Sequence, residues 1–225
     1  VNYPKLFDSE ELKFDDSFTL IPTNEGDIFK VIQEEAAKRH LAGENVQVIA
    51  PTRDDVKKLN EALQQVVNPL AEGKPEVTHN GITIRENDRT MILKNNREER
   101  CFNGDIGAAH VEPMEGGSAF IHIPLSANRQ PKFFSAKIGS TLTLAYALTV
   151  HKSQGSQYDT VIMPASTDCQ KMLRRNLFYT AISRAKKQVI LVGSEEALHI
   201  AMVTPPEQRK SMLVTKTHQK MHFAA

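Results

Sequence analysis

A parallel α/β sheet interrupted by a small β-barrel is the fold this sequence predicts, and three observations predict it. Val46, Val48, Ile49 and Ala50 form a buried apolar run, and Val56, Leu59, Leu63 and Val66 then recur on one helix face. This is a strand–helix unit of the kind that builds a parallel sheet. From Gly81 the period changes to short segments separated by turn residues, the mark of a small barrel. After Leu144 the α/β pattern returns, so the barrel is an insertion and not a linker.

Each element follows from its residues. Residues 1–16 are polar and acidic and read as a lead-in. Phe18, Leu20 and Ile21 suggest a strand ended by Pro22. Ile28, Val31, Ile32, Ala36 and Leu41 give a helix over Asp27 to Leu41, with Gly43 at its exit. Thr52 with Asp55 three residues later starts the next helix, and Pro69 stops it. The barrel segments are Ile82–Arg85, Thr90–Lys94, Ile106–Val111, Ala119–Ile123 and Pro131–Ile138, with Asn103-Gly104 as a tight turn or, alternatively, a DNA contact. Beyond them the pattern predicts a helix over Ala145–Ser153 ending at Gly155 and a strand Thr160–Met163 stopped by Pro164. A helix Met172–Ala185, with Leu173, Leu177, Ala181 and Ile182 inward, and a strand Gln188–Val192 come next. Gly193-Ser194 leads into a last helix, where Glu195 and Glu196 suit the N-terminal dipole. The expected division is 1–80 and 141–204 for the sheet domain, 81–140 for the barrel, and 205–225 for a loosely ordered polar tail.

Composition narrows the classes. At 225 residues and 40% hydrophobic content there is room for one large or two small domains with a real core. No apolar run is long enough to span a membrane, and no secretory signal pattern opens the chain. Val1 in place of Met reads as a truncated start. Cys101 and Cys169 form no metal-ligand spacing, which fits a reduced, cytoplasmic compartment. The net charge of +1 conceals an asymmetry. Residues 1–115 hold 14 basic and 22 acidic side chains, a balance of −8, and residues 116–225 hold 14 and 5, a balance of +9. A basic half fits a polyanion such as DNA or nucleotide, or else an ordinary solvated face.

Two stretches carry the chemistry. Leu144 to Gly155 runs Leu-Ala-Tyr-Ala-Leu-Thr-Val-His-Lys-Ser-Gln-Gly, an apolar half followed by four donors or acceptors and a glycine. That order suits a turn facing a phosphate or a nucleic acid strand. Arg175 to Lys186 runs Arg-Asn-Leu-Phe-Tyr-Thr-Ala-Ile-Ser-Arg-Ala-Lys, with arginines on the polar side of a short apolar helix, where they suit a phosphate.

Together these stretches resemble motifs V and VI of superfamily 1 helicases, in the form of the RecD-like family (exodeoxyribonuclease V alpha subunits). Leu59 to Pro69 is similar to the family's segment after its second-domain strand. Asn95-Asn96 and Cys101-Phe-Asn-Gly-Asp-Ile-Gly107 resemble its approach to an inserted SH3-like barrel. The match runs in order from Asp15 to Ala201. No Gly-x-x-x-x-Gly-Lys-Ser/Thr loop occurs, and no Asp-Glu pair follows an apolar strand, so the chain reads as the C-terminal half of a helicase.

The resemblance implies a RecA-like P-loop NTPase-type parallel sheet with helices on both faces, the second helicase domain, carrying the SH3-like barrel. It implies an ATP-dependent DNA helicase moving 5′-to-3′ on single-stranded DNA in exodeoxyribonuclease V-type repair and recombination. ATP and Mg2+ would be held mainly by an N-terminal RecA-like domain of the same protein, with other exodeoxyribonuclease V subunits as partners. Arg184 matches the motif VI arginine that acts on the γ-phosphate, against a surface arginine balancing a helix dipole. Gln154, Gly155 and Gln157 match the nucleotide side of motif V, although the family commonly has Glu where Gln157 stands, and Gly155 also suits a helix C-cap. Thr149, His151 and Ser153 match positions facing the DNA strand, with Thr149 and Ser153 on one helix face; a lone histidine is also commonly structural. Thr52 suits a backbone phosphate or only caps its helix, with Arg53 beside it. Arg175 suits DNA, nucleotide or a domain-one carboxylate. Tyr146, Phe178 and Tyr179 suit base stacking or core packing. Two other readings remain: the helicase-like domain of a conjugative relaxase, and a non-enzymatic DNA-binding or assembly module.

Overall fold

The computed structural model describes residues 17–168 and 174–205. The expected lead-in, Cys169, the helix start at Met172 and Leu173, and nearly all of the expected tail lie outside them. The first half of the sheet domain supplies β1 (Phe18–Pro22), α1 (Ile28–Leu41), β2 (Val46–Ala50) and α2 (Arg53–Val67). An antiparallel group follows: β3 (Glu76–His79), β4 (Ile82–Arg85), β5 (Arg89–Ile92), β6 (Ile106–Ala108), β7 (His110–Pro113), β8 (Ala119–His122), β9 (Lys132–Phe134) and β10 (Leu142–Leu144). The chain then returns to the first sheet with β11 (Ala147–Thr149), β12 (Tyr158–Ala165), α3 (Arg175–Ile182), β13 (Ala185–Gly193) and α4 (Glu195–Val203).

The main sheet is all parallel, in the order β1-β13-β12-β2-β11. Strand alternation sends Val46, Val48, Ala50, Ile162, Ile190 and Val192 into a core with α1 and α2. Ile49, Val161, Met163, Val189 and Leu191 point the other way, against α3 and α4. Helices therefore cover both faces, as a parallel sheet requires. The eight short strands form the inserted SH3-like barrel, in sheets β10-β5-β6, β3-β4 and β7-β8-β9. Its interior residues Ile84, Ile92, Ile121, Ile123 and Leu142 are continuous with the α1–α2 core.

The structure corrects several local expectations. The helix expected over Ala145–Ser153 is instead strand β11 followed by turns through Gly155. Its short apolar run has no decisive period, and pairing with Val48–Ala50 decides it. Thr149 and Ser153 therefore share no helix face. Pro22 ends β1, an edge strand, as expected. Pro164 lies inside β12, past the point where pairing with β2 stops at Ile162. The helix expected to reach Ala185 ends at Ile182, and β13 begins at Ala185. Leu41 and Val66, expected inward, are exposed, whereas Asn60 and Gln64 of α2 are buried.

Candidate nucleotide and nucleic-acid site

β2 and β11 end side by side, with Thr149 level with Ala50 at the carboxyl edge of the sheet. Thr52, just past β2, caps α2: its hydroxyl accepts from Asp55 N at 3.1 Å and donates to Asp55 Oδ2 at 2.6 Å. The capping reading is thus realised, and the hydroxyl is engaged. Past β11, the Thr149 carbonyl accepts from Lys152 N at 3.0 Å and from Ser153 N at 3.1 Å. His151 and Lys152 are thereby held out as exposed side chains. Ser153 is turned the opposite way. It is fully buried, and its hydroxyl donates to the Val150 carbonyl at 2.8 Å, which closes the turn.

A cleft of about 950 Å³ lies between α2 and the barrel strands β4, β5 and β10. Arg53, Lys57, Lys94, Thr149, His151 and Lys152 line it, with Glu61 among the opposing charges. Thr149 and His151 both line it. Thr52, Ser153 and Arg175 do not. Arg175 instead ties two helices together, with Nε donating to Met202 O at 2.8 Å and its backbone N to Thr204 O at 3.0 Å. Tyr146 and Phe178 are buried and Tyr179 is exposed.

From the turn the chain runs back across the sheet through residues 150–157 to start β12 at its amino edge. Gly155 turns with φ +88°, so it serves a turn and not a helix C-cap. Gln154 and Gln157 are exposed beside it. At the amino edge this loop meets Arg184. Tyr158 N donates to Arg184 O at 2.9 Å, and Arg184 Nη1 donates to Ser156 O at 3.4 Å. Nε reaches Thr180 O at 3.2 Å and Nη2 reaches Ser183 Oγ at 3.0 Å. The half-buried guanidinium is thus aimed by the last turn of α3 at the loop that carries Gln154, Gly155 and Gln157. Two primary amides and a guanidinium fit the phosphates and ribose of a nucleotide; a hard cation takes carboxylates. Among the described residues, no three His, Cys, Asp or Glu side chains gather to hold a metal.

A buried polar network supports this edge, and sequence reasoning missed it. Asn60 of α2 brackets Ala147 of β11, accepting its N–H at 2.8 Å and donating to its carbonyl at 3.1 Å. The fully buried Asp88 accepts from Gln64, from Asn68 at 2.6 Å, from Arg85 N at 2.7 Å and from Tyr146 OH at 2.9 Å. One carboxylate thereby joins α2, the barrel and the approach to β11, and its neighbours satisfy it. The signal in the sequence is an amide every fourth residue, Asn60, Gln64 and Asn68, on the flank of the apolar face.

Comparisons with known proteins agree with this architecture. Residues 59–115 match the ATP-dependent RecD-like DNA helicase SH3 domain, and residues 144–192 match the UvrD-like helicase C-terminal domain. The ATP-dependent RecD2 DNA helicase of Deinococcus radiodurans is 32% identical over 182 residues, covering 79% of this chain and 24% of that protein. The RecBCD enzyme subunit RecD of Mycobacterium tuberculosis is 32% identical over 112 residues, 50% of this chain and 19% of that protein. The chain thus spans about a quarter or less of these curated relatives. Pif1 helicase from Bacteroides, solved with ADP-AlF3 and ssDNA, shares the fold with a TM-score of 0.50 at 17% identity, over 88% of this chain and 53% of that one. With an SH3-like domain and a UvrD-like C-terminal domain both matched, the chain is similar to a C-terminal part of the RecD-like DNA helicases.

Proposed function

We propose that this chain is the C-terminal motor part of an ATP-dependent DNA helicase. In this reading the five-stranded sheet β1-β13-β12-β2-β11 with α1 to α4 forms the second RecA-like domain, and the barrel strands β3 to β10 are inserted between its two halves. ATP lies in the cleft between this domain and an N-terminal RecA-like domain of the same protein, which supplies the phosphate loop and the Mg2+ ligands. Arg184 places positive charge on the γ-phosphoryl oxygens as the bond breaks, and Gln154, Gly155 and Gln157 contact the nucleotide. Thr149 and His151 grip single-stranded DNA through phosphates, without base preference. By resemblance to the RecD-like family, the full-length protein moves 5′-to-3′ in repair and recombination, and the relative named RecBCD enzyme subunit RecD supports partnership with other subunits of an exodeoxyribonuclease V-type complex.

The observation that carries this reading is the approach of Arg184 to the Ser156 carbonyl at 3.4 Å. It brings the arginine of one motif to the nucleotide loop of the other. The test is DNA-stimulated ATP hydrolysis by a protein that joins this chain to its N-terminal motor domain. Arg184→Ala should lower turnover about a thousandfold or more, with a smaller effect on ATP binding. Arg184→Lys should rescue poorly, because lysine lacks the planar fork. Near wild-type turnover in the alanine variant removes the finger role.

A further inference from the structure

We propose that the Phe102 ring is a base-stacking platform for a single strand leaving the cleft across the barrel; the inference rests on the single-strand reading above. Phe102 is 56% exposed on the turn between Cys101 and β6. A lone exposed apolar side chain is ordinary, but three features set this one apart.

First, the turn is held rigid. Phe102 N donates to Asp105 Oδ2 at 2.8 Å, Asp105 N to Phe102 O at 3.1 Å, and Asn103 N to Asn95 Oδ1 at 2.8 Å. The ring is therefore presented by fixed backbone, and little ordering is needed when a base lands on it. Second, a cation backs it. The Arg129 guanidinium lies 5.4 Å from the ring centroid, braced by an ion pair with Asp105 and by the Arg100 carbonyl at 2.9 Å. Third, the turn is joined to the cleft. Lys152 Nζ, from the loop after β11, donates to Asn103 Oδ1 at 3.1 Å. Lys152 and Lys94 both line the cleft, and Arg97 and Arg100 are exposed on the same lobe, against one exposed acid, Glu98.

An exposed aromatic flanked by cations, next to a groove that can take phosphates, fits an unpaired polynucleotide. Every base offers a π-face, so such stacking is sequence-tolerant. A duplex keeps its bases stacked inside and offers the ring nothing. A strand whose phosphates meet Lys94 and Lys152 in the cleft would carry its next bases over the Phe102 turn.

The chain contains no tryptophan, so Phe102→Trp installs the sole indole. The probes are an oligo-dT and an abasic deoxyribose-phosphate strand of equal length, titrated into the 225-residue chain at low salt. Oligo-dT should quench the indole strongly and the abasic strand should not. Phe102→Ala should bind oligo-dT about tenfold more weakly than wild type while binding the abasic strand within about twofold. If wild type binds oligo-dT but the indole stays unquenched, or if Phe102→Ala binds both strands as wild type does or loses both equally, the platform is overturned and the single-strand reading stands. If wild type binds neither strand, both are overturned.

Discussion

Asn60 of α2 grips Ala147 of β11 from both sides, Oδ1 accepting its N–H at 2.8 Å and Nδ2 donating to its carbonyl at 3.1 Å. β11 is an edge strand, paired only with β2. Its outer backbone groups are left over from the ladder, and Asn60 takes the place of a missing neighbouring strand. Asn60→Leu should leave two buried backbone groups unsatisfied and cost about 2–4 kcal/mol in denaturant unfolding. Asn60→Asp keeps an acceptor and, while protonated, an O–H donor, so it should lie nearer wild type than Asn60→Leu near pH 4 and fall toward the leucine variant at pH 8, where the buried carboxylate is charged and has no donor for the Ala147 carbonyl. Equal stability of Asn60→Leu and wild type would remove the bracket.

The parts of the fold legible in the sequence are those whose burial is written in one short window. Val46–Ala50 is apolar but for Gln47, and it is fully buried in β2. Thr52 and Ser194 precede their helices and cap them as their types suggest. The illegible parts depend on residues far away in the chain. Leu-Ala-Tyr-Ala-Leu-Thr-Val suits a helix by propensity, yet Ala147–Thr149 is a strand because Val48–Ala50 lies beside it. Glu76–His79 has no apolar alternation of its own, and only its pairing with Ile82–Arg85 makes it β3. The site divides in the same way. The two motifs imply the approach of Arg184 to residues 154–157. They do not imply the inward turn of Ser153 or the bonding of Asn60 and Asp88, because a small hydroxyl, an amide or a lone carboxylate has no burial signature in sequence.

Stability should fall with acid through a single histidine. Burial, and then the charge of Arg89, holds the His40 imidazole down at about 4. Its ring sits edge-on to Tyr146 at 5.7 Å, and Nε2 has no hydrogen-bond partner among the described residues. The folded state therefore keeps His40 neutral where the unfolded chain, with its ordinary value near 6.5, takes up a proton. The contribution is complete above about pH 6.5 and is lost as pH falls toward 4, by about 1–3 kcal/mol. Unfolding midpoints measured from about pH 7.5 to 4.5 should show this slope. His40→Phe should flatten that part of the profile, and an unaltered slope in the variant assigns the acid sensitivity elsewhere.

Gly193 should tolerate no side chain. Its φ is +145°, and a Cβ there would lie 2.0 Å from the carbonyl oxygen of Ala165 on neighbouring β12. Gly193→Ala must therefore separate two central strands, and a loss of at least about 2 kcal/mol in unfolding free energy is expected. Gly155 is the contrast. It also has positive φ, +88°, but a Cβ there would meet nothing within 4 Å beyond its own chain neighbours. Gly155→Ala should cost only the conformational preference, about 1 kcal/mol. Similar losses for the two variants would mean that the Ala165 contact relaxes freely.

The 225-residue chain by itself should not turn over ATP. It has the arginine and the amides of the proposed site but no Gly-x-x-x-x-Gly-Lys-Ser/Thr loop to cradle the β-phosphate. Steady-state hydrolysis should stay at background with and without single-stranded DNA. DNA-stimulated turnover that co-purifies with the chain through successive columns would overturn the half-motor reading.

Lys152 and Ser153 are adjacent in the chain, and their side chains should separate DNA binding from loop stability. Lys152 is exposed, lines the cleft and reaches Asn103 at 3.1 Å. Ser153 is fully buried with its hydroxyl on Val150 O at 2.8 Å. A lysine at a phosphate releases counterions when DNA binds, so Lys152→Ala should weaken poly-dT and a mixed-sequence strand by the same factor. The slope of log affinity against log salt should fall by about 0.7. Ser153→Ala removes one internal hydrogen bond and no exposed donor. It should cost about 1 kcal/mol of stability and leave the salt slope unchanged. Measuring both variants over the same salt series decides between the two roles. A reduced slope in Ser153→Ala would place its hydroxyl on the phosphate in the bound state, and an unchanged slope in Lys152→Ala would take the ammonium off the DNA path.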